Sequence, residues 1–193
     1  CSAGGDACLV GVMPTPAIAY LTSKKQATVG VVISASHNPF MDNGIKFFSS
    51  TGHKLPDTVE DAIEEIINND CDYANRPIGE QVGIIDVDFN LAQEYVEHVV
   101  GTLDCDFRGI KVVLDCANGA GYEVAPVILR SLGAEVITIF NEPNGININE
   151  NCGSTHLENL KRAVLEYKAD IGIANDGDAD RCLIVDEQGQ EVD

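Results

Sequence analysis

Alternating carboxylates are the most chemically loaded feature of the chain. In NDGDADR, residues 175 to 181, Asp176, Asp178 and Asp180 are separated by Gly177 and Ala179. Small residues at the intervening positions let the backbone curl, so that three hard oxygen donors converge on a cation such as Mg²⁺ or Ca²⁺. Without a cation those charges would repel one another. Arg181 follows at once, and a fixed cation beside a metal loop is well placed to hold phosphate. An EF-hand also fits in part. Counted from Asp176, Asp178 and Asp180 take the third and fifth positions, and Glu187 takes the twelfth. Against it, Arg181 stands where that loop needs glycine, and the β-rich flanks DIGIA and CLIVD replace its helices.

A second reactive stretch, SASHNP at residues 34 to 39, puts Ser36 directly before His37 at the end of the apolar run VGVVI. Ser, Asn and Pro also build ordinary turns, so the stretch alone does not decide whether Ser36 is a nucleophile. A serine hydrolase would pair Ser36 with His37, yet neighbours in extended chain point to opposite sides, and no GxSxG elbow is present. Phosphoryl transfer asks less of that pair. Ser36 would carry the phosphoryl group, the aspartate loop would supply the metal, and Lys46, Arg181 and His37 would supply charge or protons.

The elements that must position these groups follow from hydropathy. Short apolar runs alternate with amphipathic stretches, the pattern of βα units building mostly parallel sheets. CLVGV, VGVVIS, IKVVLDC, AEVITIF, DIGIAN and CLIVD predict strands, and IKFFSSTGHKL predicts a hairpin turning at Ser50 to Gly52. Helices are expected in TPAIAYLTSKK, LAQEYVEHVVGTL, VAPVILRSLG and LENLKRAVLEYKA. In PDTVEDAIEEIINN, the apolar positions Val59, Ala62, Ile63, Ile66 and Ile67 keep helical spacing behind Thr58 and Asp61, which read as a capping pair. The pattern restarts near Asp106. We expect an α/β chain of two consecutive three-layer αβα domains with mostly parallel mixed sheets, residues 1–105 and 106–193.

Composition narrows the function. Twelve basic residues against 31 acidic ones leave a formal charge of -19, which repels polyanions and argues against nucleic acid. No stretch reaches the length of a membrane span. Seven cysteines (Cys1, Cys8, Cys71, Cys105, Cys116, Cys152 and Cys182) form no CxxC pair and are odd in number. They read as reduced thiols, which implies a cytoplasmic protein. Starting on Cys1 and ending on EVD, the sequence reads as part of a longer protein.

SASHNPFMDNGIKFF resembles the phosphoserine loop, and NDGDADR the metal-binding loop, of the α-D-phosphohexomutases, with GVMPTP and VVLDCANGAG also in family order. The resemblance implies that Ser36 is phosphorylated and that Asp176, Asp178 and Asp180 bind Mg²⁺ together with a phosphoserine oxygen. Arg181 and Lys46 would stabilise the transferring group, with Lys46 or His37 moving protons. The loop NEPNGININENCGSTH, residues 141 to 156, resembles the phosphoglucosamine mutases, so glucosamine phosphate is the implied small-molecule substrate. Phosphomannomutase or phosphoglucomutase, a phosphatase, and a non-enzymatic Ca²⁺-binding module are the alternatives. Family members have four domains, so this chain would cover most of the first two and would turn over poorly by itself.

Overall fold

In the computed structural model the described residues are 1–69 and 76–192, which leaves Cys71 outside them. The chain is α/β. Its first half contains β1 (Ala7–Leu9), α1 (Thr15–Lys24), β2 (Val29–Ile33), β3 (Ile45–Ser49), α2 (Asp57–Asn68) and β4 (Ile85–Val87). Strand β1 pairs in parallel with β4, and β2 pairs antiparallel with β3. The hairpin turn expected at Ser50 to Gly52 forms, with the Ser49 N–H donating to the His53 carbonyl at 2.8 Å. Helix α1 packs on β2 and β3 and buries Ala17 and Leu21 with Met13 and Leu91. Because side chains alternate along a strand, Val32 is buried while Val29, Val31 and Ile33 face solvent.

Helix α3 (Leu91–Gly101) follows, and the second half holds β5 (Lys111–Asp115), α4 (Val124–Ser131), β6 (Glu135–Ile139), α5 (Glu158–Tyr167), β7 (Ile171–Asn175), β8 (Cys182–Asp186) and β9 (Glu191–Val192). These strands form one sheet in the order β6-β5-β7-β8-β9. Pairing of β5 with β6 and β7 is parallel, whereas β8 and β9 fold back antiparallel. Val113 packs toward Leu160, Ala163 and Val164 of α5, while Val112 and Leu114 on the other face of β5 are also buried. A strand apolar on both faces is the centre of a layered α/β unit. Helix α3 touches both α1 and α4, bridging the two halves.

One local reading is corrected, and one strand goes unannounced. Thr58 and Asp61 do not cap α2: Pro56 is the N-cap residue, Thr58 lies inside the helix, and no side chain caps its free N–H groups. Proline there presets the backbone turn into the helix without a side-chain acceptor. Strand β4, by contrast, is too short at three residues for any alternation to announce it.

Candidate functional site

The metal-ligand candidates sit in the connection from β7 to β8, which leaves the sheet beyond the carboxyl end of β7. Ligands of open α/β sheets bind on this side. Asp176 and Asp178 are buried at 0% and 1% exposure, and Asp180 is partly exposed. One carboxylate oxygen from each lies within 4.8 Å of the others. Strands on both sides of the loop exclude the helix–loop–helix geometry of an EF-hand, and Glu187 falls beyond the far end of β8.

Ser36 reaches this loop from the end of β2. Its Oγ donates to Asp176 Oδ2 at 3.0 Å and accepts from Arg181 Nη2 at 3.0 Å. The residue adopts φ 56, a left-handed conformation uncommon outside glycine and typical of strained functional positions. Gly177 explains how the two loops come so close. A Cβ there would lie 2.4 Å from the Ser36 carbonyl oxygen and 2.7 Å from Asn149 Nδ2, so only glycine lets the backbones meet.

Two cations face the carboxylates. Lys46, on β3, donates to Asp178 Oδ2 at 2.5 Å and to Asp180 Oδ2 at 3.2 Å. Burial pulls the Lys46 ammonium down, but the hydrogen bonds and charges of Asp178 and Asp180 outweigh it, and the group stands above its ordinary value. Burial likewise raises Asp178, yet hydrogen bonds from Lys46 and Thr15 hold it below the usual carboxylate range. Arg181 Nη2 lies 2.9 Å from Asp176 Oδ2 and 2.5 Å from His37 Nδ1 as well as near Ser36 Oγ. Arg181 Nε also donates to Asp176 Oδ2, at 3.1 Å. Arg181 thus stands between His37 and Ser36, and the structure shows no Ser36–His37 hydrogen bond among the described residues.

All of the residues singled out in the sequence converge: Ser36, His37, Lys46, Asp176, Asp178, Asp180 and Arg181. Thr15 and Asn149 were not anticipated. Thr15 opens α1, donates its hydroxyl to Asp178 Oδ2 at 2.7 Å and its backbone N–H to the Asp178 carbonyl at 2.9 Å. This sets the positive end of the α1 dipole against the carboxylate loop. GVMPTP, which holds Thr15, was the available signal. Asn149 donates to the carbonyls of Ser36 and Asn38.

The donor set suits a hard divalent cation. Asp178 Oδ1 is buried without a hydrogen-bond partner among the described residues. An anionic oxygen left so is costly unless a cation meets it, and three converging carboxylates are hard oxygen ligands of the kind divalent cations take.

Comparison with known proteins agrees with this geometry. The family model for phosphoglucomutase/phosphomannomutase, alpha/beta/alpha domain I, matches residues 1–74, and that for domain II matches residues 93–189. The chain belongs to the phosphoglucomutase/phosphomannomutase family. It is 56% identical over its whole length to a phosphoglucosamine mutase from Ruminiclostridium cellulolyticum, of which it covers 43%. It is 53% identical, again over its whole length, to a phosphoglucosamine mutase from Syntrophomonas wolfei, also covering 43%. Thus it spans less than half the length of these family relatives. Its fold matches a solved family protein from Burkholderia thailandensis with a TM-score of 0.80 and 27% identity, over 99% of this chain and 42% of that one. No helix among the described residues is long and apolar enough to cross a membrane.

Proposed function

We propose that this chain supplies the phosphoserine and metal loops of a phosphoglucosamine mutase, which interconverts glucosamine 6-phosphate and glucosamine 1-phosphate. The observation that carries the reading is the meeting of Ser36 Oγ with Asp176 and Arg181 from a loop 140 residues away. Whole-length identity of 53% and 56% to phosphoglucosamine mutases supports the substrate. We place the division between the two units near Asp106, with the phosphoserine loop in the first and the aspartate loop in the second. The family's second domain model starts earlier, at residue 93 within α3.

In this reading phosphorylated Ser36 is the donor. The sugar 1-hydroxyl oxygen attacks phosphorus, the bond from phosphorus to Ser36 Oγ breaks, and the hydroxyl proton is relayed to the departing Oγ, the carrier being His37 or Lys46, whose ammonium gives up a proton before it takes another. The resulting bisphosphate turns over, Ser36 Oγ attacks the 6-phosphorus and releases its proton, the bond from phosphorus to O6 breaks, and the departing O6 takes up that proton. Arg181 and Lys46 follow the charge spreading over the phosphoryl oxygens. Asp176, Asp178 and Asp180 would hold Mg²⁺, which when bound would neutralise phosphoryl oxygen charge and orient the group.

The test uses the full-length protein. Glucosamine, mannose and glucose phosphates compete in one mutase assay, while intact mass follows phosphate on the protein before and after phosphatase treatment. We expect preference for glucosamine phosphate, a phosphate that Ser36→Ala abolishes, and loss of turnover in that variant. Preference for mannose or glucose phosphate would move the protein to a sister activity. Turnover retained by Ser36→Ala would remove the covalent mechanism.

A further inference from the structure

Asn149 is buried at 8% exposure, and its side-chain nitrogen lies 2.9 Å from the carbonyl oxygens of both Ser36 and Asn38. A primary amide nitrogen carries two hydrogens, and here both are used on one short turn of chain. No other side chain of this size does the same work. Aspartate has no donor when ionised, serine has one, and glutamine is longer by a methylene in a space already closed by Gly177.

The clamp is itself held. Asn149 adopts φ 58, which asparagine tolerates, and its backbone N–H donates to the Ala117 carbonyl at 2.9 Å. The loop before it is braced by its own side chains. Asn118 Oδ1 accepts the Glu142 N–H at 3.1 Å, and Asn147 Nδ2 donates to the Glu142 carbonyl at 3.0 Å. Asn149 is therefore a fixed donor pair presented from the second half of the chain to the loop carrying Ser36.

We propose that Asn149 is a positioning residue for phosphoryl transfer: its amide pins the Ser36 and Asn38 carbonyls, keeps Ser36 left-handed, and so aims Oγ at Asp176 and Arg181. This rests on the reading of Ser36 as the phosphoryl carrier. It gives the 141 to 156 loop a role at the nucleophile besides any role in substrate choice.

The experiment uses full-length protein carrying Asn149→Asp, which keeps size but sets acceptors against two carbonyls, and Asn149→Ala, which removes the donors without repulsion. Glucosamine 1,6-bisphosphate is the phosphoryl donor, with Ser36 phosphorylation timed by intact mass, Mg²⁺ affinity measured by calorimetry, and kcat and KM measured separately. Loss of two hydrogen bonds should slow phosphorylation and kcat on the order of 10- to 100-fold, with Mg²⁺ affinity and KM little changed and the thermal midpoint lowered by only a few degrees. Asn149→Asp should be the slower variant; if it does not fold, Asn149→Ala carries the comparison. Parental transfer rates in the variants overturn the proposal. So does a parallel fall of Mg²⁺ affinity and transfer, which marks a merely structural role. If the parent accepts phosphate elsewhere than on Ser36, the carrier reading fails, and the clamp with it; normal phosphorylation of Ser36 in both parent and variants sinks the clamp alone.

Discussion

Asp115 offers a test of how burial and hydrogen bonding compete behind the site. It ends β5 with no exposure, accepting the Ala117 N–H at 2.8 Å on one oxygen and the Gly153 N–H at 2.9 Å on the other. Burial pushes its carboxyl up from 3.8 to about 6, and the two N–H groups only partly pull it back. Between those values the native state keeps a proton that the unfolded chain has lost. The stability contributed by the neutral acid is therefore complete below the unfolded value and gone above the folded one. The difference corresponds to about 3 kcal/mol.

Asp115→Asn exposes that term. An amide offers one acceptor where two N–H groups need one each, so the variant loses about 1–3 kcal/mol wherever the wild-type carboxyl is neutral. Above about pH 7 the wild type has given up its own 3 kcal/mol or so, and the variant should match or exceed it. Urea unfolding of both proteins across this range checks the crossing, because the other titrating carboxylates cancel in the difference. A pH-independent difference would refute the reasoning. A variant that fares worse as pH rises would show that the Gly153 and Ala117 N–H groups outweigh burial.

Asp178→Asn should weaken Mg²⁺ binding by at least about tenfold, since a charged ligand becomes neutral in a hard-oxygen site; calorimetry on the full-length protein checks it, and unchanged affinity removes Asp178 from the metal shell. Gly177→Ala should cost about 1–3 kcal/mol of stability and slow Ser36 phosphorylation, because the new methyl meets the Ser36 carbonyl. Gly101→Ala, with nothing within 4 Å, is the control for the substitution itself.

Chemistry-bearing residue types were legible in the sequence because each sits in a short local pattern. Asp176, Asp178 and Asp180 alternate, Ser36 follows an apolar strand, and Lys46 and Arg181 lie near them in sequence. Most strands and helices were legible for the same reason: their periodicity is contained within a few turns or pleats. What escaped depends on contacts that no local pattern records. Thr15 meets a partner 163 residues away, Asn149 one 113 residues away, and Asp115 one 38 residues away. An asparagine in a polar loop looks like any other until the carbonyls it satisfies are known. Thr58 and Asp61 failed in the opposite way: the capping pattern was present, but Pro56 had already fixed where α2 begins.

Under the proposed function, the long-range contacts also bear on how so acidic a chain would serve a phosphorylated substrate. Asp176, Asp178 and Asp180 face Lys46 and Arg181, so the site by itself is one negative charge out of balance. A phosphoryl group on Ser36 would add roughly another one and a half to two negative charges. Neither cation is spare: Lys46 is held by two carboxylates, and Arg181 Nη2 already has more acceptors than protons. A divalent ion on the carboxylates would bring the site back to within about one negative charge of balance, and would leave both side chains to turn from aspartate to phosphoryl oxygen. Under the proposed function the three aspartates are what would allow phosphate to be handled here, because a cation held by them would supply the positive charge that the rest of the chain lacks.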